Sequence, residues 1–230
     1  MKKIFALILA CLMMFSLAAC GGNTDSETTT AAPDAETAAS DLAYIEDKGT
    51  LIVGITDYAP MDYKEEGSDE WTGFDAEFAR LAGEKLGVAV EFIEIDWDNK
   101  FFELDAKSID CIWNGMTITE EALANASVSD AYVKNAQVVV MASDKLADYA
   151  TVESLADLEF AAESGSAGEA AIKDNGLNCT AVLTQADALR EVKSGAVDAC
   201  VIDITMANAM TGEGTSYAEL GYSLELTTEE

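Results

Sequence analysis

The sequence predicts an α/β fold of two lobes, in which mainly parallel sheets are flanked by helices. Short runs rich in β-branched residues alternate with segments whose apolar residues recur at helical spacing, as Phe74, Phe78 and Leu81 do. Helices that alternate with strands in this way favour parallel sheets covered on both faces. The alternation starts again near residue 137, and 230 residues suffice for two lobes of roughly 100 residues each.

The first half of the pattern runs strand, helix, strand, helix, strand. Its predicted strands are 50–55, 88–95 and 109–113, and its predicted helices are 74–86 and 97–106. Gly87 gives the first of these helices a C-terminal stop. Thr119, which is followed by two glutamates, predicts the N-cap of a further helix because first-turn acids suit the helix dipole.

The second half repeats the alternation with different residues. Its predicted strands are 137–141, 160–163, 179–183 and 197–203, and its predicted helices are 166–175 and 184–194. Gly176 and Gly195 follow these two helices directly, and Thr184 predicts an N-cap. The two halves are therefore expected to be related α/β lobes.

The N-terminus has the features of an export signal. Lys2 and Lys3 precede an apolar run over 4–19, which is shorter than the ~20 residues needed to cross a bilayer. The run ends in Leu-Ala-Ala-Cys, which resembles a bacterial lipobox, so residues 1–19 are expected to be cleaved and Cys20 to carry lipid. The alternative is that Cys20 merely ends an ordinary secretory signal. Residues 20–40 lack large apolar side chains and are predicted to be a disordered tether.

Composition excludes several functional classes. The chain has 13 Lys+Arg against 43 Asp+Glu, a formal net charge of −30, so nucleic acid is a poor partner. It has no histidine and no paired cysteines at metal-binding spacing, so we expect no metal site and no imidazole chemistry. Cys111, Cys179 and Cys200 are expected to be free apolar residues, although a disulfide between Cys179 and Cys200 is an alternative.

Four loops are expected to form the functional site. Ligands of open α/β sheets bind beyond the carboxyl ends of the strands, which here selects loops 56–63, 113–119, 163–168 and 203–206. The polar serines there have no histidine or lysine beside them in sequence to act as a base, and no glycine-rich phosphate motif occurs. The loops therefore favour binding over catalysis, and no cofactor is expected.

An ordered series of motifs resembles a known family. The motifs are GTLIVG at 49–54, YAP at 58–60, WTGFD at 71–75, GMTIT at 115–119, SDAY at 129–132 and VDACVID at 197–203. Together, over about residues 41–230, they look like the extracellular solute-binding proteins, family 3, which are the amino-acid receptors of ABC importers. The resemblance implies a type II periplasmic-binding-protein fold, whose two lobes close on a ligand. It implies a monomeric lipoprotein, anchored outside the cytoplasmic membrane, that delivers a small polar solute to permease subunits.

The resemblance also implies roles for individual residues. Aromatic rings would enclose the ligand side chain, one carbonyl, one hydroxyl and one carboxylate would hold its ammonium, and helix N–H groups would receive its carboxylate. In that order these are Tyr58 and Trp97; Gly115, Thr117 and Asp203; and Ser166 and Ala167, with Asn114 in the same loop as Gly115. Taken without the resemblance, the sequence favours a structural interpretation, in which Tyr58 and Trp97 are core aromatics. Thr117, Ser166 and Asp203 are then helix caps.

Two departures from the family bear on the ligand. The family commonly has an arginine that binds the ligand carboxylate at the position of Ala122, and Arg80 and Arg190 lie in other helices. A position that is basic in some members is Glu163 here, which adds negative charge to the site. Either helix N-termini alone hold an amino acid, or the ligand is a cationic amine or another polar solute without a carboxylate.

The resemblance sets the expected domain boundaries. The first lobe is predicted at 41–136, the second at 137–223, and 224–230 as the start of a crossover that returns to the first lobe over another ~40 residues in the family. We expect no enzyme activity. The alternatives on the same fold are a cyclohexadienyl dehydratase-like enzyme, which needs a general acid and a carboxylate clamp, and a solute-sensing receptor.

Overall fold

The computed structural model of the chain describes residues 40–229. The predicted signal peptide, Cys20 and all but the last residue of the predicted tether lie outside the described residues. Within them, no helix is both long and apolar enough to cross a membrane. Cys111, Cys179 and Cys200 are free thiols.

The first lobe is built on a three-stranded parallel sheet of order β4-β1-β5. β1 pairs with β4 along its whole length and with β5 at only two positions. A two-stranded hairpin, β2 and β3, lies between β1 and α2 in the chain. The elements are α1 Asp41–Lys48, β1 Thr50–Ile55, β2 Tyr63–Lys64, β3 Trp71–Thr72, α2 Phe74–Leu86, β4 Ala89–Glu94, a 3₁₀ turn Trp97–Asn99, α3 Lys100–Asp105, β5 Cys111–Ile112 and α4 Glu120–Asn125.

The second lobe is built on a five-stranded mixed sheet of order β10-β6-β9-β7-β8. Its centre is parallel, because β7 pairs in parallel with both β8 and β9, whereas β6 is antiparallel to β9 and β10. The elements are β6 Asn135–Ala142, a 3₁₀ turn Val152–Leu155, β7 Glu159–Glu163, α5 Ala167–Asp174, β8 Asn178–Val182, α6 Gln185–Ser194, β9 Ala199–Asp203, α7 Ile204–Met210 and β10 Leu220–Glu229.

Each lobe has its own apolar core. In the first lobe, Leu51, Val53 and Ile55 alternate inward from β1 and pack with Ala79 of α2. The second lobe buries both faces of its sheet, and Phe160 lies fully inside. Burial of one such side chain stabilises the fold by about 1.5–3 kcal/mol. These cores hold the carboxyl ends of β1, β7 and β9 in fixed positions.

The predicted fold class is confirmed, and so is most of the helix punctuation. Thr119 accepts a hydrogen bond from Ala122 N as the N-cap of α4, and Gly87 and Gly195 end α2 and α6 in the left-handed conformation. The strand predicted at 109–113 forms only over Cys111–Ile112, and the helix predicted at 97–106 begins as a 3₁₀ turn. Apolar periodicity gave no indication of α7 or β10.

Candidate functional site

A cavity of about 270 Å³ has walls from both lobes. This volume lies just below the range of roughly 300–1,000 Å³ that drug-sized ligands occupy, so it suits one small molecule. Seven of the eight predicted ligand residues line it: Trp97, Asn114, Gly115, Thr117, Ser166, Ala167 and Asp203. The carboxyl ends of β7 and β9 and the first turn of α5 meet here, as the loop argument predicts.

Asp203 ends β9 and is held by a set of amide donors. Gln137 Nε2 donates to Asp203 Oδ1 at 2.9 Å, and Asn135 Nδ2 and Gln185 Nε2 also donate to the carboxylate. Gln185 Oε1 accepts a bond from Asp203 N at 2.9 Å, which fixes the orientation of that amide. The carboxylate is thus positioned at the cavity wall with its charge stabilised by hydrogen bonds.

The glutamines around Asp203 were missed by the sequence analysis. Gln137 is 2% exposed within β6, whose other central residues are all apolar. Gln185 is the first residue of α6 and is also buried. A polar residue inside an otherwise apolar strand pattern was the available signal at Gln137, because a buried amide needs a partner.

Asn114 serves the scaffold rather than the cavity. Its Nδ2 donates to Thr56 O at 3.1 Å and to Asp62 Oδ2 at 2.8 Å, and its Oδ1 accepts from Thr56 Oγ1 at 2.8 Å. These bonds use both N–H groups and the oxygen of the side chain. Asn114 therefore fixes the loop that carries Gly115 and Thr117.

Asp62, behind Asn114, provides a test of this buried network. Burial raises the pKa of Asp62 from 3.8 to about 7, so the folded chain keeps this proton over a range where the unfolded chain has lost it. Stability is therefore lost as pH rises from about 4 to about 7. We expect Asp62→Asn, which mimics the neutral acid, to gain about 2–4 kcal/mol relative to wild type between these limits. Urea unfolding at both ends of the window measures it.

The exposed Asp69 gives the matched control for that prediction. Asp69→Asn removes one acidic group from the same lobe without touching the network. Its free energy of unfolding should track wild type at both pH values. A difference between Asp62→Asn and wild type that is the same at both pH values would contradict the assignment.

Trp97 and Lys100 form one wall of the cavity together. Trp97 is 6% exposed, and Lys100 Nζ lies 5.0 Å from the centre of its ring and 5.0 Å from that of Phe101. The ammonium donates to Trp97 O at 3.2 Å and to Gly165 O at 3.0 Å. Burial lowers the pKa of Lys100, and the neighbouring acids, Glu121 first, act against that shift.

Lys100 brings a positive charge to the cavity, whereas Ala122 stands where the family commonly has an arginine. Ala122 lines the cavity but brings no charge, and Lys100 is the only lysine or arginine among the described residues that line it. Arg80 pairs with Glu77 and Arg190 with Asp187, each within its own helix. Lys100 was not predicted as a substitute for the family arginine, because only Arg80 and Arg190 carry the same charged group.

The start of α5 offers a single backbone donor where two were predicted. Ser166 Oγ caps the helix by accepting from Glu169 N at 3.1 Å, and Ser166 N donates to Glu163 O at 3.2 Å. Ala167 is the first helical residue, whose N–H has no intrahelical acceptor. Ala167 N is therefore the better placed of the two to receive an anion.

Tyr58 does not line the 270 Å³ cavity. It is 2% exposed, packs with Met61 against the core of the second lobe, and its hydroxyl is hydrogen-bonded to Thr205 Oγ1. It lines instead a neighbouring cavity of about 890 Å³, which also reaches Gly115 and Thr117. Tyr58 thus lies next to Gly115, where a Cβ would meet its ring at 2.9 Å, but outside the smaller cavity that the other seven predicted residues line.

The lobes meet directly at one edge of the cavity. Lys100 of the first lobe binds the carbonyl of Gly165 in the second, and Tyr58 binds Thr205 in the same sense. Gly165 has φ +70°, and a Cβ placed on it would lie 2.7 Å from Asp98 Oδ1 and 2.9 Å from Asp98 Cα. Only glycine fits this contact between the lobes without displacement.

Two α/β lobes with a small polar cavity whose walls come from both define a two-lobe binding protein. The model of the bacterial extracellular solute-binding proteins, family 3, matches residues 51–193. The chain belongs to this family.

Relatives support the assignment over most of the chain. The L-cystine-binding protein TcyA of Bacillus subtilis (strain 168) is 29% identical over 229 residues, 96% of this chain and 81% of that protein. The arginine-bound form of truncated ArgBP from T. maritima is 30% identical with a TM-score of 0.74, covering 81% of this chain and 87% of that one. The ancestral amino acid-binding protein AncCDT-1, a precursor of cyclohexadienyl dehydratase, is 33% identical with a TM-score of 0.70, covering 74% and 76%.

Proposed function

We propose that this chain captures a free amino acid outside the cell and delivers it to the permease of an ABC importer. The observation that carries the proposal is the 270 Å³ cavity, which combines a buried carboxylate from one lobe with an aromatic ring and an ammonium from the other. A zwitterion needs groups of both signs held in place. The cystine- and arginine-binding relatives support an amino acid as the ligand class.

Residues of both lobes would hold each charged end of the ligand. Asp203, with the Gly115 carbonyl and the Thr117 hydroxyl, would hold the α-ammonium, and Ala167 N with Lys100 would receive the α-carboxylate. Trp97 would cover the side chain of the ligand. Tyr58 and Asn114 would act from behind, because their polar groups are bonded to Thr205, Thr56 and Asp62.

Closure of the lobes would transmit binding to the permease. A ligand shifts the open and closed populations only by its difference in affinity for the two, so it must contact both lobes. Asp203 and Trp97 lie in different lobes and line the same cavity, which meets this requirement. The contacts of Lys100 and Tyr58 across the seam would stabilise the same closed arrangement.

Calorimetry tests the proposal. Arginine, lysine, cystine, glutamine and glutamate would be titrated into purified protein, and small-angle scattering would be recorded with and without each. We expect one class of amino acid to bind in the micromolar range or tighter, about −8 kcal/mol or better, with a decrease in radius of gyration. Absence of binding by every amino acid, or turnover of prephenate or arogenate, would overturn it.

The membrane anchor is a second part of the proposal. The lipobox resemblance around Cys20 supports lipidation, which would keep the receptor near its permease at the outer face of the cytoplasmic membrane. Labelling of growing cells with a radioactive fatty acid should mark the wild-type chain and not Cys20→Ala. Equal labelling of both chains would contradict it.

A further inference from the structure

Glu163 ends strand β7 beside the strand that ends in Asp203. Strands β7 and β9 are parallel neighbours, with Phe160 opposite Ala199 and Ala161 opposite Cys200. Their carboxyl ends therefore open onto the same cavity, and both Glu163 and Asp203 line it. From the sequence, Glu163 was predicted only to add negative charge to the site.

One oxygen of this carboxyl group has no partner. Glu163 is 2% exposed, and its Oε1 makes no hydrogen bond with any described residue. Most buried polar atoms in proteins are hydrogen-bonded, so an unpartnered carboxyl oxygen at a cavity wall needs an explanation. A donor brought in by the ligand would provide the missing bond.

The groups around Glu163 favour a positively charged donor. Burial is the largest effect on the carboxyl group and raises the pKa of Glu163 to about 8. Asp203 and Asp96 also raise this pKa, whereas the Thr56 hydroxyl and Lys100 lower it. Glu120 and Glu121 also line the cavity, and the ammonium of Lys100 is bonded to the Trp97 and Gly165 carbonyls. A cation entering this acidic wall would be attracted by several carboxylates, whereas an anion would be repelled.

We propose that Glu163 binds a cationic group on the side chain of the ligand, and that the ligand is therefore a basic amino acid. This inference rests on the proposed function. Asp203 then holds the α-ammonium and Glu163 the side-chain cation, so the two acids at neighbouring strand ends read two separate charges on one molecule. The cation binds the ionised form of Glu163. Because burial raises the pKa of Glu163 to about 8, the free protein holds this proton at neutral pH, and ligand binding releases it.

Arginine and citrulline are the decisive pair of probes. They have the same length and shape, but citrulline replaces the guanidinium with a neutral urea. By calorimetry at neutral pH, we expect wild type to bind arginine at least about 10-fold more tightly than citrulline. Glu163→Gln should lose most of that preference by weakening arginine while leaving citrulline within about 3-fold of its wild-type affinity.

Glu159→Gln provides the matched control. Glu159 lies at the other end of β7, is exposed, and accepts a bond from Asn178 Nδ2 that glutamine can also accept. Its arginine and citrulline affinities should equal those of wild type.

The pH dependence of arginine binding is a second readout. The arginine affinity of wild type should rise from about pH 6 to about pH 8, and that of Glu163→Gln should change much less. Asp62 titrates in the same range but is present in both chains.

The possible outcomes distinguish failure of the role inferred for Glu163 from failure of the proposed function. If neutral amino acids bind and close the lobes while arginine and lysine do not, the inference fails and the proposed function stands. Equal weakening of arginine and citrulline by Glu163→Gln would also overturn the inference, because it would indicate a purely structural role. If no amino acid binds, both fail.

Discussion

Asp203→Ala is expected to weaken amino-acid binding strongly. Asp203 is 7% exposed at the wall of the cavity, where its carboxylate would be the main partner of the ligand ammonium. Removing one member of a buried charge-assisted pair costs more than about 3 kcal/mol, because the remaining charge loses its partner. We therefore expect affinity to fall at least about 100-fold in calorimetry with the best ligand of the wild-type chain.

A second variant separates binding from folding. Asp203→Ala leaves Asn135, Gln137 and Gln185 without their common acceptor, so it should also lower the melting temperature. Asp203→Asn keeps the shape and one acceptor oxygen, and we expect it to fold and still to bind poorly. Asp198→Asn, at the other end of β9, is the control for charge. Wild-type affinity in Asp203→Asn would refute the assigned role.

Gly165→Ala should prevent the lobes from closing fully. The added Cβ would lie 2.9 Å from Asp98 Cα, a backbone atom that moves only if the lobes separate or the turn Trp97–Asn99 shifts. Because the ligand must contact both lobes, separation removes part of its binding site. We expect a loss of at least about 30-fold in affinity, together with a smaller change in radius of gyration on ligand addition.

Gly176→Ala isolates the cause of that loss. Gly176 lies at the opposite end of α5, has φ +68° compared with +70° for Gly165, and a Cβ there would meet nothing within 4 Å. Both variants suffer the same strain of about 1 kcal/mol for alanine in the left-handed region. Only Gly165→Ala also meets Asp98, so affinities that agree within about 2-fold between the two variants would disprove a steric gate.

The sequence predicted the order of elements better than their extent. Regular apolar spacing and capping residues indicated α2, α5 and α6 and the strands between them, because local preferences agree with the packing there. Strand β5 is short because the chain leaves the ladder with β1 after Trp113, whose N–H still bonds to Gly54 O, and the Asn114 side chain bonds to Thr56 and Asp62. Such interruptions depend on tertiary contacts that hydrophobic periodicity does not record.

Most residues of the candidate site were predicted from the sequence, but the separate roles of their side chains were not. The loop rule and the family resemblance brought Trp97, Thr117 and Asp203 to one cavity. They did not indicate that the Asn114 side chain uses its hydrogen-bonding groups on Thr56 and Asp62. Nor did they indicate that the Lys100 side chain lines the cavity and bonds to Gly165 O. A lysine on an otherwise ordinary helix start carries no sequence signal of burial, since most lysines are exposed.

The saturated bonds of Asn114 restrict where this receptor can change its choice of solute. Replacing Thr56 or Asn114 by an apolar residue would leave a buried donor or acceptor unmatched, so that face of the cleft is costly to vary. The opposite face, at the ends of β7 and β9, is set by a few side chains on rigid strands. New solute preferences in such a protein would therefore arise most easily by substitution at positions such as 163, while the first lobe stays constant as a template.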